Sequence, residues 1–241
     1  MSPLRRWSPR ATLCPMSQRR PANGRWLFDQ LVGEVRAGTV KARIRPFAKG
    51  EVVFHEDDPG DTIHLINKGL FAVRTSTSGG RSLIINVLAP GDIFGEFALF
   101  SPGGRRTSDV SALIEGETVA VERDALRAAL IARPELVEGL MSSVVVKAES
   151  TRRRLVELLS ISADLRVLRA LLFVNGLSLD DEPVPLTQQD LSSLAATTRP
   201  TANRVLREEA ARGTLTLSRG RVTVVDEKRL AKRARVDLPM R

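Results

Sequence analysis

One cysteine, Cys14, stands in 241 residues. A disulfide framework is therefore excluded, and so is any multi-cysteine zinc or iron–sulfur site. Two histidines, His55 and His64, leave little scope for acid–base chemistry, and no Ser-His-Asp ordering, HExxH or P-loop occurs. No enzyme is expected. Apolar runs fall well short of the ~18 residues that a membrane helix needs, so no membrane partner is expected and the compartment reads as cytoplasmic. Acid is missing altogether from residues 1–25, which hold six arginines and four prolines without periodicity. This segment reads as a disordered basic leader. It lacks the apolar core of a secretion signal, and Cys14 within it reads as a solvent-exposed thiol.

What is present is enough for a core: 42% of the chain is hydrophobic, which argues against wholesale disorder. The net charge of +9 is uneven. Residues 26–185 carry 19 basic and 22 acidic side chains, and residues 186–241 carry 12 and 6. A slightly acidic middle joined to a basic end suggests a sensing module attached to a module that binds a polyanion.

Apolar positions at Trp26, Leu27, Leu31, Val32 and Val35 predict a short amphipathic helix over 26–38. From 43 to 122 the pattern changes. Short β-rich runs (44–47, 52–55, 63–66, 70–75, 82–88, 107–113 and 117–122) alternate with turn signals such as Lys49-Gly50, Asp58-Pro59-Gly60, Lys68-Gly69, Ser78-Gly79-Gly80 and Pro90-Gly91-Asp92. Many short strands punctuated by Gly and Pro predict an antiparallel barrel or jelly roll. His55 and His64, near Asp57, Asp58 and Asp61, read as solvated turn residues rather than metal ligands.

Within this region Gly95 and Glu96 open a short apolar segment, and Arg106-Thr107 follow about ten residues later. A sugar hydroxyl wants a carboxylate acceptor, and a phosphate wants a guanidinium fork with O–H and N–H donors. The stretch reads as a cassette for a small phosphorylated sugar, most simply a cyclic nucleotide. The duller reading is a Glu96–Arg106 ion pair in the core.

Helical patterns resume at 124–132, and Pro134 opens a longer helix. Val137, Met141, Val144, Ala148, Thr151, Leu155, Leu158 and Ser162 follow 4-3-4-3-4-3-4 spacing, which predicts a coiled-coil-like homodimer. Thr151 sets register there or faces a ligand; Arg152, Arg153 and Arg154 beside it read as a solvated charge run. A helix over 163–175 ends at Asn175-Gly176. Thr187 with Asp190 forms a capping box, Thr198 and Pro200 start a second helix, and Gly213 stops it. Two short helices joined by a tight turn, followed by a β-hairpin over 214–225, give a winged helix-turn-helix signature. Lys228–Arg235 reads as a frayed basic tail.

In this order the motifs resemble the cyclic-AMP receptor protein and FNR (Crp/Fnr) family of bacterial transcription regulators over about residues 26–227. The resemblance implies an α+β fold. Its parts would be an N-terminal antiparallel β-roll (26–133) that binds a cyclic nucleotide, a dimerisation helix (134–162) and a C-terminal winged helix-turn-helix (163–241). It implies cyclic AMP as ligand, with cyclic GMP as alternative. Glu96 would take the ribose 2′-hydroxyl, Arg106 and Thr107 the cyclic phosphate, and Thr151 the base. Gly95, Phe97 and Ala98 would approach with backbone groups, and Arg152 would stand where a cyclic-AMP-binding member has a serine. Double-stranded DNA with a palindromic site would be read by Arg199, Pro200 and Arg204, flanked by Thr198, Thr201 and Asn203, with Gln188 and Arg219 beside them. Pro200 stands where the best-known member has a glutamate, so half-site preference should differ at that base pair. RNA polymerase is a further expected partner. The alternative is a ligand-independent DNA-binding repressor that keeps a vestigial pocket.

Overall fold

A computed structural model describes residues 23–177, 186–218 and 221–236. Between residues 42 and 122 the glycine turns cut the chain into short strands. They are β1 (Ala42–Phe47), β2 (Val52–Phe54), β3 (Thr62–Lys68), β4 (Phe71–Ser76), β5 (Ser82–Leu88), β6 (Ile93–Phe94), β7 (Asp109–Ala112) and β8 (Gly116–Glu122). All pairings are antiparallel. One four-stranded sheet runs β1-β8-β3-β6 and the other β2-β7-β4-β5, which makes the expected roll. Phe47, Ile66, Phe71, Leu88, Phe94 and Val110 fill one of its cores. Gly69, at φ +85, permits the tight β3–β4 turn to lie on the backbone of Gly116, where a Cβ would come within 2.5 Å.

Helix α1 (Asn23–Arg36) begins earlier than its apolar pattern suggests. It packs Leu27 and Leu31 with Leu126 of α3 (Arg123–Ala132) and with Leu136 and Leu140 of α4 (Glu135–Ser160). α2 is the single turn Phe97–Phe100. α4 has 26 residues and is about 39 Å long at 1.5 Å per residue. Its N-terminal half buries Leu136, Gly139, Leu140 and Ser143. Val137, Met141, Leu155 and Leu158 of the seam remain exposed in the single chain. Ser162 is not part of that seam: α4 ends at Ser160, and the Ser162 hydroxyl instead caps α5 (Ala163–Asn175), accepting from the Leu165 N–H at 3.4 Å.

The C-terminal part contains α6 (Gln188–Leu194), α7 (Arg199–Ala211) and the antiparallel hairpin β9 (Leu215–Ser218) and β10 (Arg221–Val224). Thr187 and Asp190 form a reciprocal capping box, and Thr198 caps α7 by accepting from the Thr201 N–H. The basic stretch expected to fray is a helix, α8 (Glu227–Ala234). Asp226 accepts from the Arg229 N–H at 2.9 Å, and Leu230, Ala231 and Ala234 are buried. Three small apolar positions on one face suffice because α5 supplies the other half of the contact.

The two parts are joined by polar clamps over a shared apolar cluster that contains Ala72, Ile84 and Val87 as well as Leu191, Leu194 and Leu206. Arg74 of β4 reaches Asp190 at 2.7 Å, and Ser193 donates to the Ser82 carbonyl at 3.1 Å. Arg154 departs from the solvated reading. It donates to the carbonyls of Ile85 (3.0 Å) and Leu194, and burial lowers its pKa to about 10, against a small opposing pull from Glu157. Among the described residues no helix is long and apolar enough to cross a membrane.

Candidate functional site

The cassette is assembled where β6 runs into α2. Gly95 has φ +88, and a Cβ there would lie 2.6 Å from Nη1 of Arg106, so only glycine lets the guanidinium sit against the chain. Glu96 occupies the N-cap position of α2, and Pro102–Gly104 turn the chain back toward Arg106. The Arg106 side chain runs inward. Nη1 donates to the carbonyls of Thr62 (2.8 Å) and Gly95 (3.2 Å), and Nη2 donates to Thr62 Oγ1 (2.9 Å). Its guanidinium carbon lies 4.0 Å from the Phe54 ring centre, within cation–π range. Nε is buried and has no hydrogen-bond partner. Burial holds the guanidinium pKa below its ordinary value, with Asp61 acting in the opposite sense. That carboxylate is 3.9 Å from Nη2 and 82% exposed.

Glu96 does not pair with Arg106. Its buried carboxylate accepts from Nζ of Lys147 on α4, which also donates to the Ile93 carbonyl at 2.6 Å. Glu96 is thus paired with Lys147, and Arg106 is left with the exposed Asp61 as its ion-pair partner, while Asp58 and Glu96 also favour its charged form. Thr107 is exposed beside it, Ala98 is buried and Phe97 is exposed. Thr151 lies one turn beyond Lys147 on the same face of α4, with its hydroxyl donating back to the Lys147 carbonyl at 2.9 Å. Arg152 is not brought to the cassette within the chain; it bonds Glu149 one turn back at 2.8 Å.

His64 overturns the solvated-turn reading. It is a buried β3 residue stacked on Phe94, with ring centres 4.9 Å apart. Its pKa falls to about 3, first through burial and then through the cations Arg106 and Arg45. Its Nδ1 is 3.0 Å from Thr118 Oγ1 and its Nε2 is 3.3 Å from Thr62 Oγ1. The Thr62 hydroxyl, which accepts from Arg106 Nη2, also lies against Nε2, and the Thr118 hydroxyl lies against Nδ1. A polar chain Thr118–His64–Thr62–Arg106 thus fixes the guanidinium from below. His55 is exposed, 3.2 Å from Asp109, and the described residues hold no cluster that could bind a metal. Sequence reasoning missed Lys147, Thr62 and His64. Only Lys147 carried a signal, its i−4 relation to Thr151.

On α7, Ala202, Val205 and Leu206 are buried, which turns Arg199, Pro200 and Arg204 outward. These three, with Asn203, Arg207 and Glu208, line one concave surface. Thr198 and Thr201 are engaged with each other at 2.9 Å, and the Asn203 amide oxygen is buried. Gln188 is the half-buried first residue of α6. Arg219 lies outside the described residues.

A β-roll with a buried arginine beside a glycine turn, a long helix touching it and a winged helix-turn-helix define the architecture of a DNA-binding regulator. Residues 44–133 match the cyclic nucleotide-binding domain family, and residues 165–233 match the Crp-like helix-turn-helix domain family. A CRP-like cAMP-activated global transcriptional regulator of Mycobacterium tuberculosis is 32% identical over 198 residues, or 78% of this chain and 87% of that protein. The cyclic AMP receptor protein of Thermus thermophilus is 32% identical over 184 residues, or 75% and 82%. A solved CRP/FNR-family transcriptional regulator of Thermus thermophilus superposes with a TM-score of 0.69 at 23% identity, covering 80% of this chain and 98% of that one. The chain belongs to the Crp/Fnr family of transcription regulators, which is not a family of enzymes. It is a DNA-binding regulator with a cyclic-nucleotide-binding domain.

Proposed function

We propose that the chain acts as a homodimer whose binding to a palindromic DNA site responds to cyclic AMP, with cyclic GMP as the alternative ligand. The observation that carries this is Arg106, a buried guanidinium with an unpartnered Nε whose one ion pair, to Asp61 at 3.9 Å, is with an exposed carboxylate. One negative charge is what such a site needs, and a cyclic phosphodiester carries one. Arg106 and Thr107 would hold the phosphate, and Glu96 would accept from the ribose 2′-hydroxyl. Gly95, Phe97 and Ala98 would line the approach, and Thr151 would face the base. Arg152 lies beside Thr151 on the surface available to a second subunit. Two relatives named for cyclic AMP support the choice of nucleotide. The exposed seam of α4 supports the dimer, and RNA polymerase is the expected further partner.

Coupling would run through Lys147. Glu96 accepts from this lysine, and a hydroxyl donor at Glu96 would compete for the same oxygens. Loosening the Glu96–Lys147 contact releases α4 toward a second arrangement, which moves the recognition helices. Titration calorimetry with cyclic AMP and cyclic GMP on the wild-type protein and Arg106→Gln tests the reading. We expect a loss of about 1.5–3 kcal/mol of binding free energy for the variant. Gel shifts with and without nucleotide should show that DNA affinity follows occupancy. If neither nucleotide binds the wild-type protein and DNA binding proceeds regardless, the chain is the ligand-independent repressor.

A further inference from the structure

Arg204 projects from the middle of the DNA-facing helix, yet two carboxylates hold it. Nη2 bonds Asp164 Oδ1 at 2.5 Å, and Nη1 bonds Glu208 Oε1 at 2.8 Å. Asp164 lies in the first turn of α5 and Glu208 one turn along α7, so the guanidinium is gripped from two elements. All three side chains are about half exposed. Ion pairs of that kind contribute little to stability. Their position, beside Arg199 and Arg207 on one concave surface, opposes attraction of a polyanion. A carboxylate pair there weakens general DNA affinity and needs another reason.

We propose that Asp164 and Glu208 form a clamp that makes Arg204 selective for a base edge over backbone phosphate, with Asp164 as the specificity-determining positioning residue. A guanidinium has five N–H donors, and the clamp engages two. The remaining donors stay available to neutral acceptors such as the O6 and N7 of guanine. A phosphate brought to the same place would meet two carboxylates at close range. Glu208 is also 3.6 Å from Arg212, so it has a second partner. Asp164 sits at a helix N-terminus, where its charge is favoured independently of Arg204.

This inference rests on Arg204 contacting bases, and the test separates the two. The full-length protein, with cyclic AMP present, is used to select preferred duplexes from random DNA. Affinity for the selected duplex and for a scrambled one is then measured across salt concentrations. For Asp164→Asn we expect tighter binding to scrambled DNA and at least a fivefold fall in the selected-to-scrambled ratio. The salt slope on scrambled DNA should steepen by about 0.9, the value of one added phosphate contact. In an Arg204→Ala background the same substitution should change none of these. An unchanged ratio in Asp164→Asn, while Arg204→Ala alone relaxes base preference, overturns the clamp but keeps the base contact. An Asp164→Asn effect that persists without Arg204 also overturns it, because Asp164 then acts by its own charge. No change of preference in Arg204→Ala removes the base contact and the clamp together.

Discussion

Replacing Lys147 with methionine tests the join between α4 and the cassette. Methionine keeps most of the apolar stem and removes only the ammonium. Glu96 is 1% exposed and accepts from Lys147, whose side chain is 18% exposed. Breaking a buried ion pair by removing one partner costs about 3–5 kcal/mol, because the other charge is left desolvated. Water can reach the vacated side through the partly open lysine position, so we expect the lower end, about 3 kcal/mol. Urea unfolding measures this, and the m-value should not change. Adding Glu96→Gln removes the orphaned charge and should restore about 2 kcal/mol relative to the single variant. The functional arm is independent of stability. Nucleotide affinity should be kept or improved, since the ribose hydroxyl no longer competes with Nζ, while the response of DNA binding to nucleotide should fall. A stability loss below about 1 kcal/mol refutes the buried-pair argument. An unchanged DNA response refutes Lys147 as the link.

Gly95→Ala forces a side chain into φ +88 and into Nη1 of Arg106; calorimetry should show nucleotide affinity lowered at least tenfold, with about 1–2 kcal/mol of stability lost. His64 titrates near 3 in the folded protein and near 6.5 unfolded, so the unfolded state binds more protons between those values and stability falls as pH falls. Between pH 7 and pH 5 the residue should account for about 2 kcal/mol of that loss, read as the difference between the wild type and His64→Asn in how the unfolding free energy, from urea titrations at each pH, changes with pH. Leu155→Glu with Leu158→Glu places charges on the exposed seam. Sedimentation should then show monomers for the variant and a dimer for the wild type, with the far-ultraviolet circular dichroism unchanged.

Much of the fold was legible because glycine and proline turns mark strand ends, and helix caps are local. Thr187, Asp190, Thr198 and Pro200 each act within three or four residues of themselves. β6 was not legible: two residues, Ile93 and Phe94, are too few to show a period. α8 was hidden because its buried face is only Leu230, Ala231 and Ala234 among charges. The site divides in the same way. Glu96 and Arg106 stood out because phosphate and sugar chemistry call for those groups at close spacing. Which partner each takes is a tertiary matter, since Lys147 lies 51 residues from Glu96 and Thr62 lies 44 from Arg106. His64 looked like a turn residue beside acids, whereas β3 buries Ile63, His64, Leu65 and Ile66 in succession. A strand buried on both faces erases the alternation that would have shown which way the histidine points.

The two ends of the proposed coupling lie on one helix. Lys147 holds the cassette and Arg154 holds Ile85 of β5 and Leu194 of α6. Seven residues separate them, about 10.5 Å or two turns along α4, and Thr151 stands between. A helix segment that short is stiff, so α4 cannot shift at Lys147 and stay fixed at Arg154. Nor can Arg154 simply let go: burial already lowers its pKa to about 10, and an unpaired guanidinium in that environment would be costlier than either bonded arrangement. The carbonyls it grips must therefore move with it or be exchanged for others in one step. On the coupling proposed above, a second arrangement of α4 would be separated from this one by a poor intermediate, which is the condition under which a small change at Glu96 can become a discrete change at α7.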